Sequence, residues 1–162
     1  MILLQLVLFC AVFILTVRIA AGGNAANVLF WYPKEFQETA YARGIADRDA
    51  VQRRRKISLT VMMLVIVLAL LAILGLCNRA FAFKEAYLQS LLFLEVMNWF
   101  DGIVIDRLWV GHSNFWQLPD MEGVPYVQTW KQVGIKRGAL TLIFVPVAAI
   151  SAGLLVLLGM LF

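Results

Sequence analysis

The sequence predicts an all-α, polytopic membrane protein with four transmembrane helices and one short amphipathic helix at the interface. Three observations predict it. Hydrophobic residues make up 62% of the 162 and charged ones 15%, where a soluble domain holds about half and a quarter. The apolar excess gathers into four runs long enough to cross a bilayer core of about 30 Å. Between them stand connections rich in aromatic and basic residues, the composition of membrane–water interfaces.

Residues 1–162 read as a single membrane domain. The first span covers 1–21, with Gln5 as the one amide before Arg18. Its first basic residue follows the apolar run, whereas a secretory signal opens on positive charge, so a retained helix is expected. AAGGNAAN (20–27) breaks that helix. A short helix is expected over 33–43: Pro33 suits a first turn, Glu35 suits its positive end, and Gly44 suits the stop. Phe30, Trp31, Tyr32, Phe36 and Tyr41 alternate there with Lys34, Glu35, Glu38 and Arg43. That mixture favours an anchor at headgroup level, with a lid or a partner contact as the other use.

Asp47 suits an N-cap for a helix that runs into the second span, 57–77. Arg53, Arg54, Arg55 and Lys56 stand at its entrance, a topology signal that also meets anionic lipid. After a short turn the third span covers 85–106, with room to reach Trp109. Residues 112–137 read as a polar, aromatic connection containing Pro119, Gly123, Pro125 and Gly134. The fourth span, 139–162, is interrupted by Pro146. Ala148/Ala152 and Ala149/Gly153 give it the small-xxx-small spacing of close helix contacts.

Twelve of the 14 basic residues fall in the first and third connections with their flanks, leaving Arg79 and Lys84 in the second. The positive-inside rule then places connections one and three in the cytoplasm and both termini outside. The expected location is the bacterial inner membrane, with membrane lipids as partners and self-association or a second membrane subunit as further ones. The net charge of +4 does not indicate nucleic acid, because the basic residues flank spans and form no separate patch. Cys10 and Cys77 lie in apolar runs without metal-ligand spacing, and no cofactor is indicated.

The third span carries the concentrated chemistry. Glu95, Asn98, Asp101, Asp106, Arg107 and, beyond it, His112 interrupt otherwise apolar sequence. Such groups are costly in a membrane and usually face a bundle interior or a wet cavity. At about 100° per residue, Glu95, Asn98, Asp101 and Asp106 share one side, and a continued helix brings His112 near Asp101. Arg107 points elsewhere. Asp106 and Arg107 are expected to form an interfacial pair, with Arg107 reaching headgroups. Glu95 and Asn98 also have a plain use, as hydrogen bonds that tie helices together.

FWYPKEFQETA, NWFDGIVIDRLWVGHSNFWQLP and the following EG resemble an uncharacterised family of small multi-pass bacterial membrane proteins. Its members share a tyrosine–proline segment after the first span and an Asp-rich third span leading to Gly-His and Trp. The resemblance covers most of the chain and implies the spans, and it carries no established activity.

From the residues, the expected function is binding of a lipid, small amphiphile, ion or partner helix in a polar-lined intramembrane cavity open to the cytoplasm. Glu95, Asn98 and Asp101 would line it, with His112, Glu122 and Tyr126 at its mouth. The alternative is a membrane-embedded enzyme acting on a lipid or isoprenoid headgroup, in which His112 is base or ligand and Asp101 or Glu122 orients it. No HExxH or HxxxH pair supports a metal, and Ser113 lacks a GxSxG context.

Overall fold

A computed structural model describes residues 1–161, and in it the chain is a bundle of four long helices closed at one end by its connections. α1 spans Ile2–Ala21, α2 Lys34–Ala42, α3 Arg48–Cys77, α4 Phe83–His112 and α5 Trp130–Gly159. All but α2 are long and apolar enough to cross a membrane, so the protein is a multi-pass helical membrane protein. Each 30-residue helix is about 45 Å long, more than a bilayer core, so its ends reach the headgroup layers.

Each helix turns a narrow apolar stripe inward. On α1 it is Phe9, Phe13, Val17 and Ala21, and on α3 it is Ile66, Leu70 and Leu74, the four-residue spacing that stacks side chains on one face. Phe9 meets Phe93 of α4 edge to face at 5.5 Å. The outward faces keep large apolar residues uncovered, such as Leu64, Leu142 and Ile150, as a hydrocarbon solvent allows. α4 and α5 pack most extensively. Ala148 and Ala152 are fully buried, as their small-xxx-small spacing predicts.

Several boundaries differ from the sequence expectation. One does not: Asp47 caps α3 as expected, accepting the Ala50 N–H at 2.8 Å, and α3 begins nine residues before the apolar run of the second span. α5 begins at Trp130, not at 139, because Thr129 and Gln132 form a reciprocal capping box, which satisfies two of the first turn's orphan N–H groups. The helix also passes through Pro146 unbroken. α4 runs on to His112, and over Asp101–Trp109 it widens into π-helical turns.

Connections one and three meet at the same end. There a 3₁₀ segment (Ala25–Trp31) and α2 fold over the helices. Tyr32 stacks on Phe36 at 4.8 Å and donates its hydroxyl hydrogen bond to the Trp116 carbonyl at 2.8 Å. Gln128 Nε2 donates to the Trp31 carbonyl at 3.4 Å. The inward side of α2, Phe36 and Ala40, is thus occupied by protein, while Glu35 and Glu38 face out. At the other end the N-terminal turn meets connection two: Gln5 Nε2 donates to Asn78 Oδ1 at 2.6 Å. Gly159 lies against Phe81 there, with no space for a Cβ. Both ends of the described chain therefore sit opposite the basic connections.

Candidate functional site

Arg137 organises the interior. The residue lies in the second turn of α5 and is 1% exposed. Its Nη1 donates to Asp101 Oδ2 at 2.5 Å and its Nη2 to Asp106 Oδ2. Lys136 Nζ reaches the same Asp106 oxygen at 3.1 Å. Two cations therefore meet two carboxylates across the α4–α5 seam, which is how buried charge becomes tolerable.

The π-helical turns make that geometry accessible. In a regular α-helix, residues five apart diverge by about 140°, too far for one guanidinium to serve both. A turn that closes on the fifth residue stacks them instead. Gly102 completes the fit, since a Cβ there would sit 2.9 Å from Arg137 Nε and from Val133 Cγ1. The missing side chain lets the arginine lie flat across α4.

Deeper in the seam the polar chain is neutral on the α5 side. Asn98 Nδ2 donates to the Arg137 carbonyl at 3.0 Å, and Thr141 Oγ1 donates to Glu95 Oε2 at 2.8 Å. Asn98 Oδ1 and Glu95 Oε1 are buried without a protein partner. The four α4 residues that sequence periodicity put on one side all turn toward α5.

Beside this seam lies a cavity of about 520 Å³, within the range of small-molecule sites. Its walls are apolar and include Phe13, Met62, Met97 and Phe144. Its polar end is formed by Arg55, Asn98, Asp101, Asp106, Lys136 and Arg137, with Trp116, Tyr126 and Gln128 of connection three alongside. Met63 of α3 and Ile143 of α5 line it too, yet are 41% and 54% exposed. The space therefore reaches the bundle surface between α3 and α5.

The expected site residues divide accordingly. Asn98, Asp101 and Tyr126 line the cavity. Glu95 lies in the seam and not on the cavity wall. His112 is exposed, its Nδ1 within hydrogen-bond distance (2.8 Å) of the Leu108 carbonyl; it lines no part of the cavity. Glu122 is exposed in connection three. Among the described residues His112, Asp101 and Glu122 form no cluster suited to a metal, and no ion pair joins His112 to a carboxylate. The expected Asp106–Arg107 pair does not form either. Asp106 turns to Arg137, while Arg107 Nη1 donates to the Gln128 carbonyl at 2.7 Å and its guanidinium lies 4.7 Å from the Trp130 ring centroid. Adjacent residues on a helix point apart, and the wider turns do not reverse that.

The sequence reading missed Arg137, Lys136, Thr141 and Arg55 as site residues. Two acidic groups within a span require counter-charge, and TxxQ at 129–132 marks a helix start that carries Lys136 and Arg137 inward.

Comparison of the chain with protein-family models, curated proteins and solved structures returns no match, so no activity is assigned by similarity.

Proposed function

We propose that this protein binds a lipid or similar small amphiphile inside the membrane, with the headgroup at the charged end of the cavity and the tail along its apolar wall. One observation carries the proposal: a single cavity joins a charged end to an apolar wall and reaches the bundle surface between α3 and α5. An ion alone would leave the apolar part without purpose, and a space of about 520 Å³ holds little more than one turn of a rigid partner helix of about 10 Å diameter. Met62, Met63 and Met97 suit flexible chains, because methionine adapts its shape to irregular contacts. On the positive-inside rule the charged end faces the cytoplasm of a bacterial inner membrane, so the amphiphile would come from the cytoplasmic leaflet through the α3–α5 opening.

The test is native mass spectrometry of the purified protein, followed by extraction of whatever is bound. Stoichiometric amphiphile is expected on the natural chain. Ala139→Trp places bulk on a small, exposed lining residue and should displace it. An empty natural chain, or an Ala139→Trp variant that retains its load, would overturn the proposal.

A further inference from the structure

We infer that the cavity selects an amphiphile whose headgroup carries one negative charge on a phosphate. The inference rests on the proposed binding function and specifies its ligand. It follows from charge and from the hydrogen-bonding capacity that the protein leaves open. Lys136 and Arg137 are matched by Asp101 and Asp106, two charges against two. Arg55 also lines the cavity and takes part in no ion pair or side-chain hydrogen bond among the described residues, so the polar end holds one cation in excess. A monoanionic headgroup pairs with that cation, and charge-assisted bonds are stronger than neutral ones.

The unused polar atoms agree. Lys136 spends one contact on Asp106 and has further N–H donors. Arg55 adds its guanidinium. Against these the wall sets the Oδ1 atoms of Asp101 and Asp106, whose ion pairs all use Oδ2, and the buried Asn98 Oδ1, but no acceptor there carries unmatched negative charge. A donor-rich, cationic end suits acceptor oxygens, and charge-assisted bonds to phosphate are the strong ones. A zwitterionic headgroup would also need a free carboxylate for its amine. Both carboxylates on the wall are matched in charge by Arg137 and Lys136 through Oδ2, which leaves no negative charge in excess for an amine.

The test uses the full-length protein in nanodiscs or detergent, with dioleoyl phosphatidylglycerol and dioleoyl phosphatidylcholine as probes of equal tail. Phosphatidylglycerol should bind about tenfold more tightly, and Arg55→Gln should remove about that factor, the size of one charge-assisted hydrogen bond. Arg55 is exposed, so this variant spares the fold. Arg53→Gln serves as control, since Arg53 carries the same charge nearby and lines no part of the cavity. Equal loss in both variants would mean plain surface attraction and would overturn the inference. Equal binding of the two lipids, with both displaced by Ala139→Trp, overturns the headgroup assignment and leaves the binding function standing. Lipid binding indifferent to Ala139→Trp sinks the binding function itself. Inorganic phosphate is the third probe: competition with phosphatidylglycerol that is lost in Arg55→Gln supports the phosphate site and identifies a free anion as able to fill it.

Discussion

α5 meets its two neighbours in opposite ways. Toward α4 it presents Arg137 and Thr141, and the seam closes with ion pairs and hydrogen bonds, with Gly102 allowing the close approach. Toward α3 it presents Ala139, Ile143 and Val147, and a cavity separates the helices. The difference teaches what holds a bundle together in lipid. Apolar side chains gain little by leaving hydrocarbon for one another, so close contact depends on small residues and polar pairs. The α4–α5 face has both, in the Arg137 clamp and in Gly102, whereas the α3–α5 face has no ion pair among the described residues and meets closely at Gly75, against Leu155, leaving the stretch beside Ala139 and Ile143 open to a ligand.

The strongest way to break this contrast is to remove the clamp. Arg137→Ala would strand the carboxylates of Asp101 and Asp106, and deleting one partner of a buried ion pair costs roughly 3–5 kcal/mol. A large fall in the melting midpoint of the detergent-solubilised protein is expected. Arg137→Met combined with Asp101→Asn and Asp106→Asn should recover most of it, because no charge is then left uncompensated. If the single variant melts with the natural protein, the seam is not held by charge.

Gly102→Ala comes next. The new methyl would meet Val133 Cγ1 and Arg137 Nε at 2.9 Å, and Arg137 is fixed by its two carboxylates. Overpacking of this kind costs about 1–3 kcal/mol, read again as a lower melting midpoint. The same change at Gly134, which has nothing within 4 Å of the new carbon, is the control.

Much of this fold was legible in the chain, and the part that was not has a definite cause. Hydrophobic runs and flanking charges are additive along the sequence, so the four spans and the pairing of connections one and three at one end could be read directly. The inward set Glu95, Asn98, Asp101 and Asp106 could be read as well. Their partners could not, because Arg137 stands next to Lys136 in a stretch that also looks like a topology signal. Apolarity alone started the last span at 139; the capping box starts the helix at Trp130 and turns those cations from flank to core. The π-helical turns were equally hidden. Hydrophobic periodicity assumes 3.6 residues per turn, and nothing in DGIVIDRLW announces the wider coil that stacks Asp101 over Asp106.

Tyr32 tests the roof over the open side. Loss of its hydrogen bond to the Trp116 carbonyl in Tyr32→Phe should cost about 0.5–1.5 kcal/mol. Burial first, and then the neighbouring Tyr126, push the Tyr32 hydroxyl above its ordinary 10.0. The folded protein keeps the phenol neutral at a pH where the unfolded chain ionises it. This contribution is therefore full below pH 10 and is lost as the pH climbs toward the raised value. Melting curves taken across alkaline pH should fall less steeply for Tyr32→Phe than for the natural chain. Thr141→Val probes the deep part of the closed seam, where Glu95 Oε2 would lose its 2.8 Å donor. Hydrogen bonds between membrane helices average about 0.6 kcal/mol, so a drop of a degree or two, smaller than for Gly102→Ala, is expected.

His112 belongs to neither face, and its replacement should have the smallest effect. The ring stands at the last residue of α4, exposed, within hydrogen-bond distance of one carbonyl a turn back, Leu108. It touches neither the clamp nor the cavity wall. Exposed substitutions away from such features stay within about 0.5 kcal/mol, so His112→Ala should match the natural protein in melting midpoint. It should also match it in the bound amphiphile recovered by native mass spectrometry. The second measurement discriminates between functions. An enzyme that used this ring as its base would turn over its lipid, and the His112→Ala variant would then accumulate unreacted substrate that the natural chain does not carry. A difference in the chemical identity of the extracted molecule would move the chemistry from Arg137 and the cavity to the end of α4.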